Sequence, residues 1–306
     1  MTNSTLKVQS VENYSLDDIE QRIEACPKLA SLKSVQLALR ELLSCEQSLS
    51  TKIAETIQRD PSLTARVLRM VNSVYFGLAN PVNSIEDAVL YLGIRHIRDL
   101  SYATPVIEEL ERLHKNWANV NWTEMWKHSI GTAFMTREIL ATCNVRIDDD
   151  TDYIIGLLHN VGKVIIAHAF PKEFGIISSS RFNTTNDVLV LERQLIGMNH
   201  AELGALYLQK HQLSPEIVES VQYHHSPEFA PKHSMLSAAI QIADRMVCST
   251  GIRGGLEQFT NQTHDRWETL TSWDILFTAD SEEYKRAQLD LSHKLQRLPK
   301  LLEGIS

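Results

Sequence analysis

Apolar residues recur at three- and four-residue spacings along most of the 306-residue chain, which is the period of one face of an α-helix. No stretch alternates convincingly at two residues, so the pattern predicts an all-α protein. Ser15-Leu16-Asp17-Asp18 opens a first helix, and Cys26-Pro27 ends it. A Leu-rich helix follows over about 34–44 through Val35, Leu39, Leu42 and Leu43, and Ser48 caps another with Ile53 and Ile57 inside. Asp60-Pro61 pairs an N-cap with a proline at the first helical position. Leu63, Val67, Met70 and Val71 form the core stripe of that helix, and Arg59, Arg66 and Arg69 read as its solvated face. Asn72 and Ser73 read as a cap and turn, Tyr75 and Phe76 before Gly77 as an aromatic plug, and Gly93 as a helix C-cap.

A polar run over 115–121 is the best internal boundary. Beyond it a helix runs from Trp122 to about Asn144 with Met125, His128, Thr132 and Met135 on one stripe, so His128 faces the bundle. The acidic turn Asp148-Asp149-Asp150 precedes the next helix, whose positive end tolerates carboxylates. It lacks the alternating ligands and glycine of a calcium loop. One helix is predicted from about Asp152 through His159 and Asn160 to near His168. Asn199 caps a helix beginning at His200, Ser214-Pro215 opens one ending at His224-His225, and Ser234 to Cys248 carries Asp244 toward its far end. A last amphipathic helix contains Tyr284, Leu291, Leu295 and Leu298.

Composition narrows the classes. A hydrophobic content of 43% suffices for a real core. With 30 basic against 38 acidic residues, the net charge of −8 gives no support for a nucleic-acid surface. His159, Lys163 and His168 break the apolar runs well short of the ~20 residues of a bilayer span. The first ten residues lack the pattern of a signal peptide, so a cytoplasmic protein without membrane or nucleic-acid partners is expected. Cys26, Cys45, Cys143 and Cys248 are too widely spaced for a zinc knuckle or a disulfide framework.

The run Gly156-Leu157-Leu158-His159-Asn160-Val161-Gly162-Lys163-Val164 sets polar groups among buried apolar ones, and such groups need partners. His159 with Asn160 is either a satisfied core pair or part of a site. Around them stand His128, His200, His224, His225 and Asp244, each on or at the end of a predicted helix. In this order and at these intervals they resemble the HD superfamily of metal-dependent phosphohydrolases. Relatives there bind metal through a His, a His-Asp pair and a distant Asp, and Asn160 stands where the paired Asp belongs. A second resemblance is more specific. Arg59-Asp60-Pro61-Ser62-Leu63-Thr64-Ala65-Arg66-Val67-Leu68, Asn72-Ser73, Ser84-Ile85-Glu86-Asp87-Ala88-Val89 and Leu92-Gly93 resemble the HDOD domain, the HD-related output domain of bacterial signalling proteins. Cys26-Pro27-Lys28-Leu29 echoes its usual opening, so the likeness runs from about Pro27 to His225.

That resemblance implies a multi-helix bundle in which an N-terminal helical subdomain packs on an HD-like bundle. The implied segments are an N-terminal flank (1–26), the first helical half (27–117), the HD-like half (118–250) and a C-terminal helical extension (251–306) for packing or partner binding. It also implies a degenerate metal site of His128, His159, Asn160, His200, His224, His225 and Asp244, with a divalent transition metal (Fe, Zn, Ni or Mn) held weakly or not at all. An amide supplies only a neutral oxygen where hydrolytic relatives keep an anion. Lys163 matches the lysine of the His-Asp-x-Gly-Lys motif, and a helix cap or an ion pair fits it equally. The Gly-Tyr-Pro of cyclic-dinucleotide phosphodiesterases is absent. The leading expectation is therefore a non-catalytic bacterial signal-transduction module that binds a protein partner or small ligand. The alternatives are a metal-dependent phosphohydrolase with a His-Asn motif, or histidines kept only as a buried polar network.

Overall fold

The computed structural model describes residues 14–26, scattered positions between 53 and 97, and nearly all of 120–303. The expected helix over 34–44, the Asp60-Pro61 start, the Tyr75-Phe76 pair, the polar run over 115–119 and the acidic turn at 148–150 lie outside the described residues. The described chain is helical almost throughout. Helix α1 (Leu16–Glu24) begins at a capping box in which the Ser15 hydroxyl and Asp18 carboxylate each accept from the other's backbone N–H. Its buried Ile19 and Ile23, one turn apart, rest against later helices. Residues 85–93 are helical, and the φ of 72° at Gly93 suits a glycine. Asn72 holds the preceding turn from both sides. Its amide donates to Val82 O at 2.8 Å and its carbonyl accepts from Val82 N at 2.7 Å.

Helix α2 (Trp122–Thr142) is capped by Asn121 and buried nearly all round, as the central member of a bundle must be. Against it pack α3 (Thr151–Leu158), α9 (Ser234–Ser249) and the C-terminal α11 (Glu282–Glu303). At Gly131 the space for a Cβ is closed by Val247 of α9 and Leu298 and Leu302 of α11, at 3.2–3.3 Å. The amphipathic stripe of α11, including Leu291, Leu295 and Leu298, is thus buried on the central helix.

The sequence predicts one helix from Asp152 to His168, and the structure divides it. Helix α3 stops at Leu158, His159 and Asn160 form a turn, and α4 (Val161–Ala169) starts again. The cause is tertiary. Gly162 lies so close to helix α7 (His200–Lys210) that a Cβ there would meet His200 O at 1.7 Å, and Gly204 of α7 is the reciprocal contact. Two glycines let the backbones of α4 and α7 touch, and α4 must redirect to do so.

The remaining elements carry local start signals. Pro171 occupies the first turn of α5 (Pro171–Ser179), and Pro215 that of α8 (Pro215–Gln222). Capping boxes open α6 (Thr185–Ile196), from Thr184 and Asp187, and α7, from Asn199 and Glu202. Helix α10 (Trp273–Leu276) is a single turn. No strand is expected from the sequence, yet β1 (Arg181–Phe182) and β2 (Gln258–Phe259) form a two-residue parallel ladder that ties the segment after α9 back to the bundle.

Candidate metal centre

Seven side chains singled out from the sequence converge in the middle of this bundle. His128 comes from α2, His159 and Asn160 from the α3–α4 turn, and His200 from the first residue of α7. His224 and His225 come from the turn after α8, and Asp244 from α9. The imidazoles form a chain: ring centroids are 5.3 Å apart for His128–His159, 5.3 Å for His159–His224, 5.7 Å for His200–His224 and 3.9 Å for His224–His225. Two donor groups result, His128–His159–Asp244 and His200–His224–His225, with the donor atoms of each within 4.8 Å of one another.

Four of the five rings are fixed from behind. Nδ1 lies 3.1 Å from Ile252 O in His128, 2.7 Å from Gly156 O in His159 and 2.7 Å from Val221 O in His224. In His200 it lies 2.8 and 3.0 Å from the two Glu192 carboxylate oxygens. In His159, His200 and His224 an acceptor behind Nδ1 fixes the tautomer and leaves Nε2 with its lone pair, the arrangement metal-ligating histidines use, whereas His128 has an acceptor at each ring nitrogen, Ile252 O at Nδ1 and Asp244 Oδ1 at Nε2.

Inside the cluster the partners are uneven. His128 Nε2 is 3.0 Å from Asp244 Oδ1, and the Asn160 amide nitrogen donates to His159 Nε2 at 2.7 Å. His224 Nε2 and Asn160 Oδ1 are buried with no hydrogen-bond partner. A cation would satisfy orphaned buried acceptors of this kind. The donors, mostly imidazole, fit a first-row transition ion and fit magnesium poorly.

Burial, reinforced by His224 and His128, holds His159 well below the ordinary imidazole range. Burial together with His200 brings His224 down to about 3, and burial with His224 and His200 depresses His225. These rings are neutral at pH 7. For Asp244 burial works upward, but the His128 hydrogen bond and Arg245 outweigh it and keep the carboxylate ionised.

A cavity of ≈ 50 Å³ reaches His128, Asn160, His200, His225 and Asp244. Its outer wall includes Lys163, Arg245, Arg253 and Glu257. Lys163 Nζ lies 2.6 Å from Glu257 Oε1. Burial would lower the lysine's pKa, yet the Glu257 carboxylate prevails and raises it. Sequence reasoning missed Glu192 and Glu257. Glu192 was findable, because it falls on the same face of α6 as buried Val188, Leu195 and Ile196, and an acid on an apolar stripe needs a partner. No periodic pattern marks Glu257.

An all-helical bundle with a histidine-rich centre is thus the class of protein. The sequence matches the HDOD domain family over residues 29–227, and the chain belongs to that family. An uncharacterized protein of Treponema pallidum (strain Nichols) is 25% identical over 231 residues, 74% of this chain and 43% of that protein. The chain therefore spans less than half the length of that curated relative. Among solved structures, an HDOD domain protein of unknown function from Geobacter sulfurreducens superposes with a TM-score of 0.71 at 20% identity, over 95% of this chain and 99% of that one. A protein of Shewanella amazonensis SB2B, named only as a candidate phosphohydrolase, gives 0.64 at 22% identity, over 94% and 98%. These likenesses establish the shared fold.

Proposed function

We propose that this chain is a signal-transduction module of the HDOD type that holds at most one divalent transition metal ion (Fe, Zn, Ni or Mn) in its bundle. On this reading it acts through a protein partner or small ligand, without hydrolysis. The observation that carries the reading is the donor inventory of the two groups: five imidazoles and a single carboxylate, Asp244, already paired with His128. A two-metal hydrolytic centre needs an anion shared between its ions. The position that supplies it in hydrolytic HD relatives is here an amide, whose nitrogen donates to His159. The cavity agrees with this. At ≈ 50 Å³ it admits an ion and a few waters.

The second reading, a metal-dependent phosphohydrolase, is favoured by the same convergent imidazoles and by Lys163, Arg245 and Arg253 in the cavity wall, cations suited to phosphate oxygens. A bound ion would supply Lewis acidity to a water or phosphoryl oxygen. The readings separate on metal content of protein purified without an affinity tag, followed by turnover assays on phosphomonoesters, nucleotides and cyclic dinucleotides. We expect no more than one ion per chain and no turnover. Turnover that disappears in His159→Ala overturns the signalling reading. Asn160→Asp is expected to raise occupancy toward two ions by restoring the missing anion, and an unchanged metal content would count against that role for position 160.

A further inference from the structure

Resting on the small-ligand reading above, we propose that the cavity beside the centre binds a phosphate-sized oxyanion through the guanidinium of Arg245 and the hydroxyl of Thr185. The observation behind this is a cation without a close carboxylate. The cavity is lined by three basic residues, Lys163, Arg245 and Arg253, and by two acidic ones, Asp244 and Glu257. Both acids are engaged elsewhere. Glu257 Oε1 stands 2.6 Å from Lys163 Nζ, and Asp244 Oδ1 stands 3.0 Å from His128 Nε2. Asp244 Oδ2 lies 3.9 Å from Arg245 Nε, beyond hydrogen-bond reach. Among the described residues the short contact of this guanidinium is with a neutral group: Nη2 donates to Thr185 Oγ1 at 2.6 Å. The Arg245 side chain is only 17% exposed. A cation so far out of water, with no carboxylate at bonding distance, is what an oxyanion satisfies.

The surroundings of this pair favour the same ligand. Arg245 rides on α9 and Thr185 is the first residue of α6, so their bond joins two helices and holds the guanidinium in place. Thr185 accepts in that bond, which leaves its own O–H to donate. It also stands at the positive end of a 12-residue helix, where negative charge is favoured. Val188 and Phe259 make another part of the lining apolar, and charged hydrogen bonds beside an apolar wall are strengthened. At ≈ 50 Å³ the cavity takes about three to five water-sized groups, and a phosphate group presents four oxygens. Arg245 and Phe259 lie beyond the family match at 29–227, so the match itself assigns them no role. The site uses the protein's own donors and needs no metal ion.

The test is calorimetric titration of the full chain, freed of metal by a chelator, with inorganic phosphate and in parallel with glycerol phosphate. It compares the unaltered protein with Arg245→Gln, Arg245→Lys and Arg193→Gln. Arg193, also on α6 but 51% exposed and paired with Glu202, controls for the loss of one positive charge. We expect Arg193→Gln to bind phosphate as the unaltered protein does, and Arg245→Gln to weaken it by at least about 10-fold, the loss of a hydrogen bond to a charged group. Arg245→Lys keeps the charge without the planar fork and should recover only part of that affinity. Equal affinity in Arg245→Gln and the unaltered protein overturns the assignment. So does a failure of the unaltered protein to bind either compound, which leaves the signalling reading standing on a protein partner. Phosphomonoester turnover by metal-loaded protein would instead strike the signalling reading and spare the anion site. Tighter binding of glycerol phosphate would support the site as one for a phosphate ester, and tighter binding of inorganic phosphate as one for the free ion. Should Arg245→Gln not fold, crystals of the unaltered protein soaked in tungstate decide the matter. Anomalous density within hydrogen-bond distance of Arg245 and Thr185 supports the site, and its absence there removes it.

Discussion

At the scale of single residues, the centre depends on a position with no side chain. Gly162 brings α4 against the first residue of α7, and the missing Cβ would sit 1.7 Å from His200 O. That contact is with backbone, which cannot rotate aside. Gly162→Ala must push the helices apart, and with them His159 and Asn160 from His200. Overpacking of this kind destabilises by about 1–3 kcal/mol, and a urea titration of the variant should fall within or above that range. A change below about 0.5 kcal/mol, ordinary for a surface substitution, would show that α4 and α7 separate freely and that the glycine contact does not set the geometry. Asn160 contrasts with Gly162: its backbone makes the turn, while its side chain decides which charge the centre carries.

Among the elements, the segment from Ile252 to Thr260 does more than its sequence announces. It makes four contacts with three elements: Ile252 O with His128 and Arg253 N to Glu124 on α2, Glu257 with Lys163 on α4, and β2 with β1. All of it lies beyond the family match at 29–227. Because the Lys163 and Glu257 side chains are only 14% and 4% exposed, Glu257→Ala strands a buried ammonium and should destabilise by about 3–5 kcal/mol. The double variant Lys163→Met, Glu257→Leu should recover most of that loss in urea titrations. Additive losses would mean that the pair is not coupled. This segment also marks where the sequence stopped being legible. Helix starts at Ser15, Asn199 and Pro215 are local events written in consecutive residues, so they and the placement of His200 were readable. The break at His159-Asn160 was not, because it follows from Gly162 meeting Gly204, residues far apart in the chain. The β1–β2 ladder is too short to show a period, and Glu257 reaches Lys163 through a stretch with no helical pattern to orient it.

On the scale of the whole molecule, an acid-sensitive cluster sits where other bundles place only hydrocarbon. Among the described residues no single helix is long and apolar enough to cross a membrane, and α2, at the centre of the bundle, devotes one position of its buried surface to His128. His159, His224 and His225 are held neutral by burial and by one another, His224 down to about pH 3. In the unfolded chain the same imidazoles take up protons near pH 6.5. Between those limits the unfolded chain binds more protons than the fold, so stability falls as the pH falls, by up to about 1.4 kcal/mol per unit for each histidine. Three such groups acting together remove about 4 kcal/mol over one unit at the steepest point, a large share of the 5–15 kcal/mol that holds a typical domain. Urea midpoints measured from pH 7.5 to 5 should therefore drop steeply below about pH 6.5. A flat profile over that interval would show that the rings are free to protonate within the fold. A bound ion adds stability, about 2.7 kcal/mol at a free concentration one hundred times its Kd. Because His159, His224 and His225 stay neutral in the fold over this interval, an ion held by them meets no proton competition there, and saturating Ni²⁺ should raise the midpoint by a similar amount at each pH from 7.5 to 5. An increment that shrinks toward pH 5 would show that protons reach the ligand nitrogens within the fold.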